Sequence, residues 1–229
     1  MIALVVTAPF ASATYNIQIS PPFQGVAPLL YTTVATTGCH SRGDFPLPPS
    51  VNPTRGTVRE RLQASSAFCP GGTVHDDYAE VVSSPGFYGP NFTVPFAGPY
   101  NATFEWVFAY NVSLNASGPG SSASALVSIF VEGFLYDGTN MTTLSGTGGD
   151  TFALIHEIHN GTWSEGTRYL LVKVVNSFTL APGQVYYFET VLTTSAEGVA
   201  DGAGSASATL DLGDHVDHAR LIDLGLVST

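Results

Sequence analysis

The chain has 229 residues, 44% of them hydrophobic and only 11% charged, with a net charge of −11. That is enough apolar material for one large all-β domain or two small ones, and too much for wholesale disorder. Seven Lys and Arg against 18 Asp and Glu argue against a nucleic-acid partner or an anionic lipid surface, since both need clustered cations.

The first thirteen residues, MIALVVTAPFASA, read as a secretory signal. Ile2 to Phe10 is a short apolar run, and Ala11-Ser12-Ala13 fits the small-x-small pattern for cleavage after Ala13. A positive n-region is missing, and a buried N-terminal strand is the plainer alternative. No other run approaches the ~18 apolar residues that span a bilayer, so no transmembrane segment is expected apart from the signal. The mature domain is then 14–229, secreted or displayed at a cell surface.

From there on the chain shows period-2 alternation bounded by Gly, Pro, Asn and Asp, with no long helical period. The predicted strands are Leu29–Thr36, Thr57–Ser66, Val74–Val82, Phe87–Phe96, Ala102–Ala116, Ala123–Tyr136, Phe152–His159, Thr167–Ser177, Gln184–Ala196, Ser205–Leu212 and Ala219–Leu226. Between the first two lies SRGDFPLPPSVNPTRG, a proline-rich loop expected to stay out of any sheet. Cys39 and Cys69 flank it. An even cysteine count in an exported chain predicts one disulfide, which would stabilise the fold by about 3–4 kcal/mol in the chain-entropy account. Asp137-Gly138 marks a turn, and the Gly/Ala-rich stretch SAEGVADGAGSASA reads as a flexible hairpin loop. About ten strands with short turns predict a single antiparallel β-sandwich, jelly-roll-like or immunoglobulin-like.

The stretch YNATFEWVFAYNVSLNASG carries the sharpest signal. Its even positions, from Ala102 through Phe104, Trp106, Phe108 and Tyr110 to Ala116, are all apolar. Its odd positions are mostly polar. One face of a strand is therefore core and the other wet. The run Ala102–Ala116 would be about 50 Å long, so a bend or bulge is expected near Val107 or Ala109.

Six tripeptides fit the N-glycosylation acceptor pattern, headed by Asn91, Asn101, Asn111, Asn115, Asn140 and Asn160. Asn101, Asn111 and Asn115 all fall on the wet face. This predicts a glycoprotein with sugar over that face, so that recognition is left to loops, edges or the opposite sheet. The plainer reading is a Ser/Thr-rich sheet surface that resembles the pattern.

Histidines and acids gather in HDDYAE, IHEIHNG and LDLGDHVDHA. None has a recognised ligand spacing: His156-Glu157-Ile158-His159 is one residue short of the zinc-peptidase motif, and His156 faces away from Glu157 and His159 on a strand. If a metal is bound, the expected site is structural calcium at Asp211, Asp214 and Asp217; no other cofactor is implied. Glu105, Glu132, Glu157 and Glu189 sit in strands, and a facing pair of them is the one arrangement here that suits glycosidic cleavage. No nucleophile elbow, phosphate loop or dinucleotide fingerprint is present, so an enzyme is not expected. Among the aromatics, Tyr88, Phe92, Tyr100 and Trp163 fall in or beside loops, where an exposed ring can stack on a sugar.

Ala181 to Gly213, APGQVYYFETVLTTSAEGVADGAGSASATLDLG, resembles the closing hairpin of exported prokaryotic β-sandwich surface proteins, a group without assigned activity. The resemblance implies location more than role. The sequence therefore predicts a structural or adhesive extracellular protein acting by binding or self-assembly, with a filament or coat subunit as one form. Its partners would be further copies, cell surfaces or glycans. A carbohydrate-binding module is the alternative, and a jelly-roll glycoside hydrolase the less favoured third.

Overall fold

A computed structural model describes residues 14–23, 25–26, 32–38, 40–68, 76–118, 123–140, 142–144, 151–201, 203–213 and 218–229. The signal reading at 1–13, the pair Cys39 and Cys69, and Asp214 and Asp217 lie outside the described residues. In chain order the strands are β1 (Asn16–Ile19), β2 (Gly25–Val26), β3 (Thr32–Thr37), β4 (Arg42–Asn52), β5 (Thr57–Ala67), β6 (Asp76–Ser83), β7 (Gly86–Tyr88) and β8 (Gly98–Ser117). They continue with β9 (Ala123–Asp137), β10 (Thr142–Thr143), β11 (Phe152–Ile158), β12 (Gly161–Leu180), β13 (Tyr186–Asp201), β14 (Ser205–Asp211) and β15 (Ala219–Ser228).

These form two antiparallel sheets packed face to face, the predicted β-sandwich. The first sheet runs β1-β15-β5-β14-β8-β12, with β4 beside β5. The second runs β10-β9-β13-β6-β3, with β11 beside β9 and β7 between β13 and β2. The period-2 pattern of β8 is the reason for its place. Its even residues from Tyr100 to Ala116 are buried between the sheets, and its odd residues face out.

Strand β8 carries no bulge of its own. The irregularities fall on its neighbours, between Glu165 and Arg168 in β12 and between Leu221 and Asp223 in β15. One side of β8 pairs with β12 along its whole length. The other side is shared: β14 takes Asn111–Ser117 and β15 takes Tyr100–Phe108.

Rings from the two sheets meet in the core. Trp106 stacks on Phe108 with centroids 5.8 Å apart, and Phe104 meets Phe188 edge-on at 6.0 Å. The Trp106 indole N–H donates to Thr190 Oγ1 (3.1 Å), and that hydroxyl donates to the Glu132 carbonyl (2.8 Å), so the polar edge of the ring is satisfied inside. Phe104 lies directly against Gly133, where any Cβ would collide with the ring. Glycine here is what lets the sheets close.

Three predicted elements are corrected. The proline-rich segment is not a loop, because Arg42–Asn52 forms β4 against β5. It lies on an edge. Its ladder is interrupted between Asp44 and Leu47 and again between Leu47 and Ser50, and all three prolines, Pro46, Pro48 and Pro49, fall in those gaps. A proline at an interruption withholds no ladder hydrogen bond. Next, Phe87–Phe96 is not one strand. Pairing stops at Tyr88, before Gly89-Pro90, and resumes as the single bridge Phe92↔Tyr186. Third, β13 and β14 do not form a hairpin, for they belong to different sheets. The Gly/Ala stretch is a crossover, and its small residues face inward where the sheets converge: Ala196, Ala200, Ala206 and Ala208 are buried.

Candidate binding site

The outer face of the second sheet brings together residues that the sequence scatters. Tyr187 of β13 pairs with Tyr136 of β9, and Glu189 pairs with Phe134 on one side and Tyr88 of β7 on the other. The Tyr136 and Tyr187 rings stack at 5.1 Å, and Tyr88 meets Tyr187 edge-on at 5.4 Å. All three tyrosines are half-buried, so each offers part of a ring and its hydroxyl to solvent.

Beneath them lies Glu189, only 1% exposed although it sits on an outward-pointing position. Neither carboxylate oxygen has a well-formed hydrogen bond. Burial pushes its pKa above the ordinary carboxylate range, and the Tyr136 hydroxyl beside it offsets only part of that. The tyrosines are affected in turn. Burial first, then the charge of Glu189, raises Tyr88 to about 12 and lifts Tyr187 as well; burial also raises Tyr136, where the Thr143 hydroxyl opposes the rise and Glu189 adds to it. Their hydroxyls therefore remain donors at any physiological pH. Glu132, exposed and two residues from Phe134 on the same face, adds an acceptor.

Further along this face Tyr78 and Glu80 of β6 stand beside Glu197 of β13, with Glu157 of β11 near. Burial, then Glu80 and Glu157, raise the Glu197 pKa. No Lys or Arg occurs in any strand of this sheet, which holds half of the chain's 18 acids. All seven cations lie in the first sheet or in the turn between β4 and β5.

The acceptor asparagines are distributed as the alternation predicts. Asn101, Asn111 and Asn115 share the outer face of the first sheet. Asn101 accepts a hydrogen bond from Ser177 Oγ (2.7 Å) through its oxygen, leaving its amide nitrogen unpaired among the described residues. Asn91 and Asn160 are exposed in connections between strands, and Asn140 is exposed in the turn after β9. There the Asp137 carboxylate accepts from Thr139 N (2.8 Å) and Asn140 Nδ2 (2.9 Å), and the Thr139 bond leads in lowering its pKa.

The other candidate residues are dispersed. Glu105 pairs with Lys173 (3.0 Å) on the first sheet, opposite the tyrosine face. His156 stacks on Trp163 at 4.4 Å and faces Glu165, while Glu157 turns the other way to His159 (3.4 Å). Asp211 is already engaged: Arg61 Nε donates to it (2.8 Å), as does Gly213 N (2.8 Å). A cation there would have to compete with that guanidinium. Among the described residues no group of three His, Cys, Asp or Glu stands close enough to hold a metal. Phe92 and Tyr100 are core residues, and the Tyr100 hydroxyl donates to the Phe96 carbonyl (2.9 Å).

Of the tyrosine site, Tyr88, Glu132 and Glu189 stand out in the sequence as candidates. Tyr136 and Tyr187 sit at outward positions of strands that are readable in isolation. What brings them together is the β9–β13 pairing, which leaves no mark in either segment.

No protein-family model matches this sequence, and no curated protein matches it. Among solved structures, that of TmCBM61 in complex with β-1,4-galactotriose aligns over 83% of this chain and 87% of its own, at 12% identity and a TM-score of 0.22. A likeness of that size adds nothing to the fold the strands themselves define. The class that fold and face define is an all-β sandwich with one acidic, tyrosine-bearing outer surface, its cations all in the other sheet and that sheet's β4–β5 turn.

Proposed function

We propose that this chain is an exported β-sandwich that acts by binding, and that the tyrosine face of its second sheet recognises neutral saccharides. One observation carries the reading: Tyr88, Tyr136 and Tyr187 pack over a buried, poorly hydrogen-bonded carboxylate on a sheet that contains no cation. Part-exposed rings offer apolar faces to the C–H side of a sugar ring. Phenol hydroxyls and Glu132 offer donors and acceptors to its hydroxyl groups. The acidity of the sheet repels anionic ligands and leaves neutral ones unaffected. N-glycosylation at Asn101, Asn111 and Asn115 would place the protein's own sugars on the opposite sheet, away from this face. Adhesion at a cell exterior is the role that fits both surfaces.

The test is a glycan array, with and without EDTA, on the wild type and on Tyr187→Ala. Binding to neutral glycans that survives EDTA and falls about tenfold or more in the variant supports the reading. No binding to any neutral glycan, or binding indifferent to Tyr187, rejects it. If a bound oligosaccharide is instead shortened over time, the hydrolase reading replaces it.

Self-association into a coat or filament is a second reading, favoured by the division of charge between the sheets. The acidic sheet of one copy on the cation-bearing sheet of the next is a heterologous contact, and such contacts propagate. Sedimentation at low and high salt tests it: a strict monomer at both counts against assembly.

A further inference from the structure

Four of the seven cations are neutralised by neighbours. Arg42 pairs with Asp44 (2.9 Å), Arg61 with Asp211, Arg168 with Glu165, and Lys173 with Glu105 (3.0 Å). The other three are Arg55, Arg59 and Arg220. None has a carboxylate partner among the described residues, and all three line one cavity of about 540 Å³. Ser50, Asn52, Thr57 and His218 complete its described wall, and no acid contributes to it.

The cavity owes its existence to the topology of the first sheet. The β4–β5 turn supplies Arg55, the outward side of β5 supplies Arg59 beside Ser50, and the start of β15 supplies Arg220 beside Thr57. Three separate segments thus converge at the point where β15 takes over from β14 along β5. In a chain of net charge −11, three guanidiniums with no carboxylate partner among the described residues repel one another, and a negative group that joins them relieves that repulsion.

We infer that this cavity is a binding site for an oxyanion: a sulfate, phosphoryl or carboxylate group of a ligand. Guanidinium forks match the geometry of these groups and hold them by paired, charge-assisted hydrogen bonds. The Ser50, Asn52 and Thr57 side chains supply further polar contacts around them.

The site remains reachable if the acceptor asparagines carry sugar. Arg220 pairs with Val107 of β8, and Asn101 and Asn111 lie six and four residues away on either side. At ~3.3 Å per residue that leaves a gap of about 30 Å between them. In the same gap Tyr169 and Leu171 of β12 are 67% and 65% exposed, and Leu171 pairs with Val107 on the side opposite Arg220. Two strand spacings, about 10 Å, separate the cation from this apolar patch. A ligand with an anionic head and an apolar body would engage both.

The experiment is a calorimetric titration with sodium sulfate, sodium phosphate and sodium citrate, against sodium chloride at equal ionic strength. It uses the wild type, Arg59→Ala, Arg59→Lys, Arg220→Ala and, as a control in a paired cation, Arg42→Ala. The expected result is saturable binding to one site per chain for at least one anion. Either alanine variant weakens it about tenfold or more, and Arg42→Ala leaves it unchanged. Preference for sulfate and phosphate over citrate assigns a tetrahedral group, and the reverse assigns a carboxylate. Weakening by Arg59→Lys shows that the fork as well as the charge is used. Absence of saturable binding for all three anions, equal loss in Arg42→Ala, or binding indifferent to both alanine variants overturns the inference. The exposed positions of Arg59 and Arg220 let the variants fold, which thermal melts without anion check. The outcome is independent of saccharide binding, since Tyr187 lies on the other sheet.

Discussion

Replacing Glu60 by Gln is expected to remove a loss of stability that a buried, raised carboxyl imposes as pH rises. Glu60 lies on the inward side of β5 and is 0% exposed. One carboxylate oxygen accepts the Thr194 hydroxyl across the core (2.7 Å), and the other has no well-formed hydrogen bond, with the Ser83 hydroxyl beside it. Burial pushes its pKa above the ordinary value of 4.5, and the Thr194 and Ser83 hydroxyls offset only part of that rise. Above pH 4.5 the folded state therefore holds this proton more tightly than the unfolded chain does. For a group raised in this way the contribution to stability is intact below pH 4.5 and is lost as pH climbs towards the folded value. The slope approaches about 1.4 kcal/mol per pH unit for one full proton. Gln has nearly the same shape and nothing to ionise, so its slope from this position is zero. Glu189, Glu197 and Asp223 are also raised, burial leading in each, but they are present in both proteins and cancel in the comparison. Urea unfolding of wild type and Glu60→Gln between pH 4 and 8 gives the difference curve. Relative to the variant, the wild type should lose stability steadily as pH rises above 4.5. A flat difference curve, or one that rises with pH, would refute the assignment of a protonated, desolvated Glu60.

Other outcomes follow from the packing. Gly133→Ala should destabilise by about 1–3 kcal/mol, read as a lower thermal midpoint, because its methyl group meets the Phe104 ring; Phe104→Leu in the same chain should recover part of the loss. Lys173→Met breaks an ion pair whose cation is well solvated, and chemical denaturation should register less than about 1 kcal/mol. Mass spectrometry of protein expressed through a glycosylating pathway should show one glycan fewer in each of Asn101→Gln and Asn115→Gln; masses unchanged beyond the substitution would end the glycosylation proposal for those two positions.

The alternation in β8 makes its two faces legible in the sequence alone, and the same holds for β5, β9, β11, β14 and β15. Period 2 is a local property, and these strands obey it without interruption over most of their length. Strand β4 escapes that reading because its prolines would be disruptive in a central strand, whereas edge position and two interruptions remove the conflict. That information lies in the partner strand, not in RGDFPLPPSVN itself. The tyrosine face shows the same limit. Tyr88, Tyr136 and Tyr187 are 99 residues apart at the extremes, and only the order β7-β13-β9 makes them neighbours. The division of charge between the sheets is equally hidden, since a net charge of −11 says nothing about which strands fall in which layer.

The pairing of β1 with β15 has a mechanical consequence. Asn16 lies opposite Val227, and Tyr15 and Ser228 exchange hydrogen bonds of 3.0 Å, so the two ends of the described chain leave the sandwich side by side. Tension applied between them would load this ladder one rung at a time, in the manner of a zip, rather than shearing all its bonds together. β1 would peel off at low force while β8 and β12, joined along nearly their full lengths, stayed engaged. Under load the sandwich would thus have a weak first link and a strong last one.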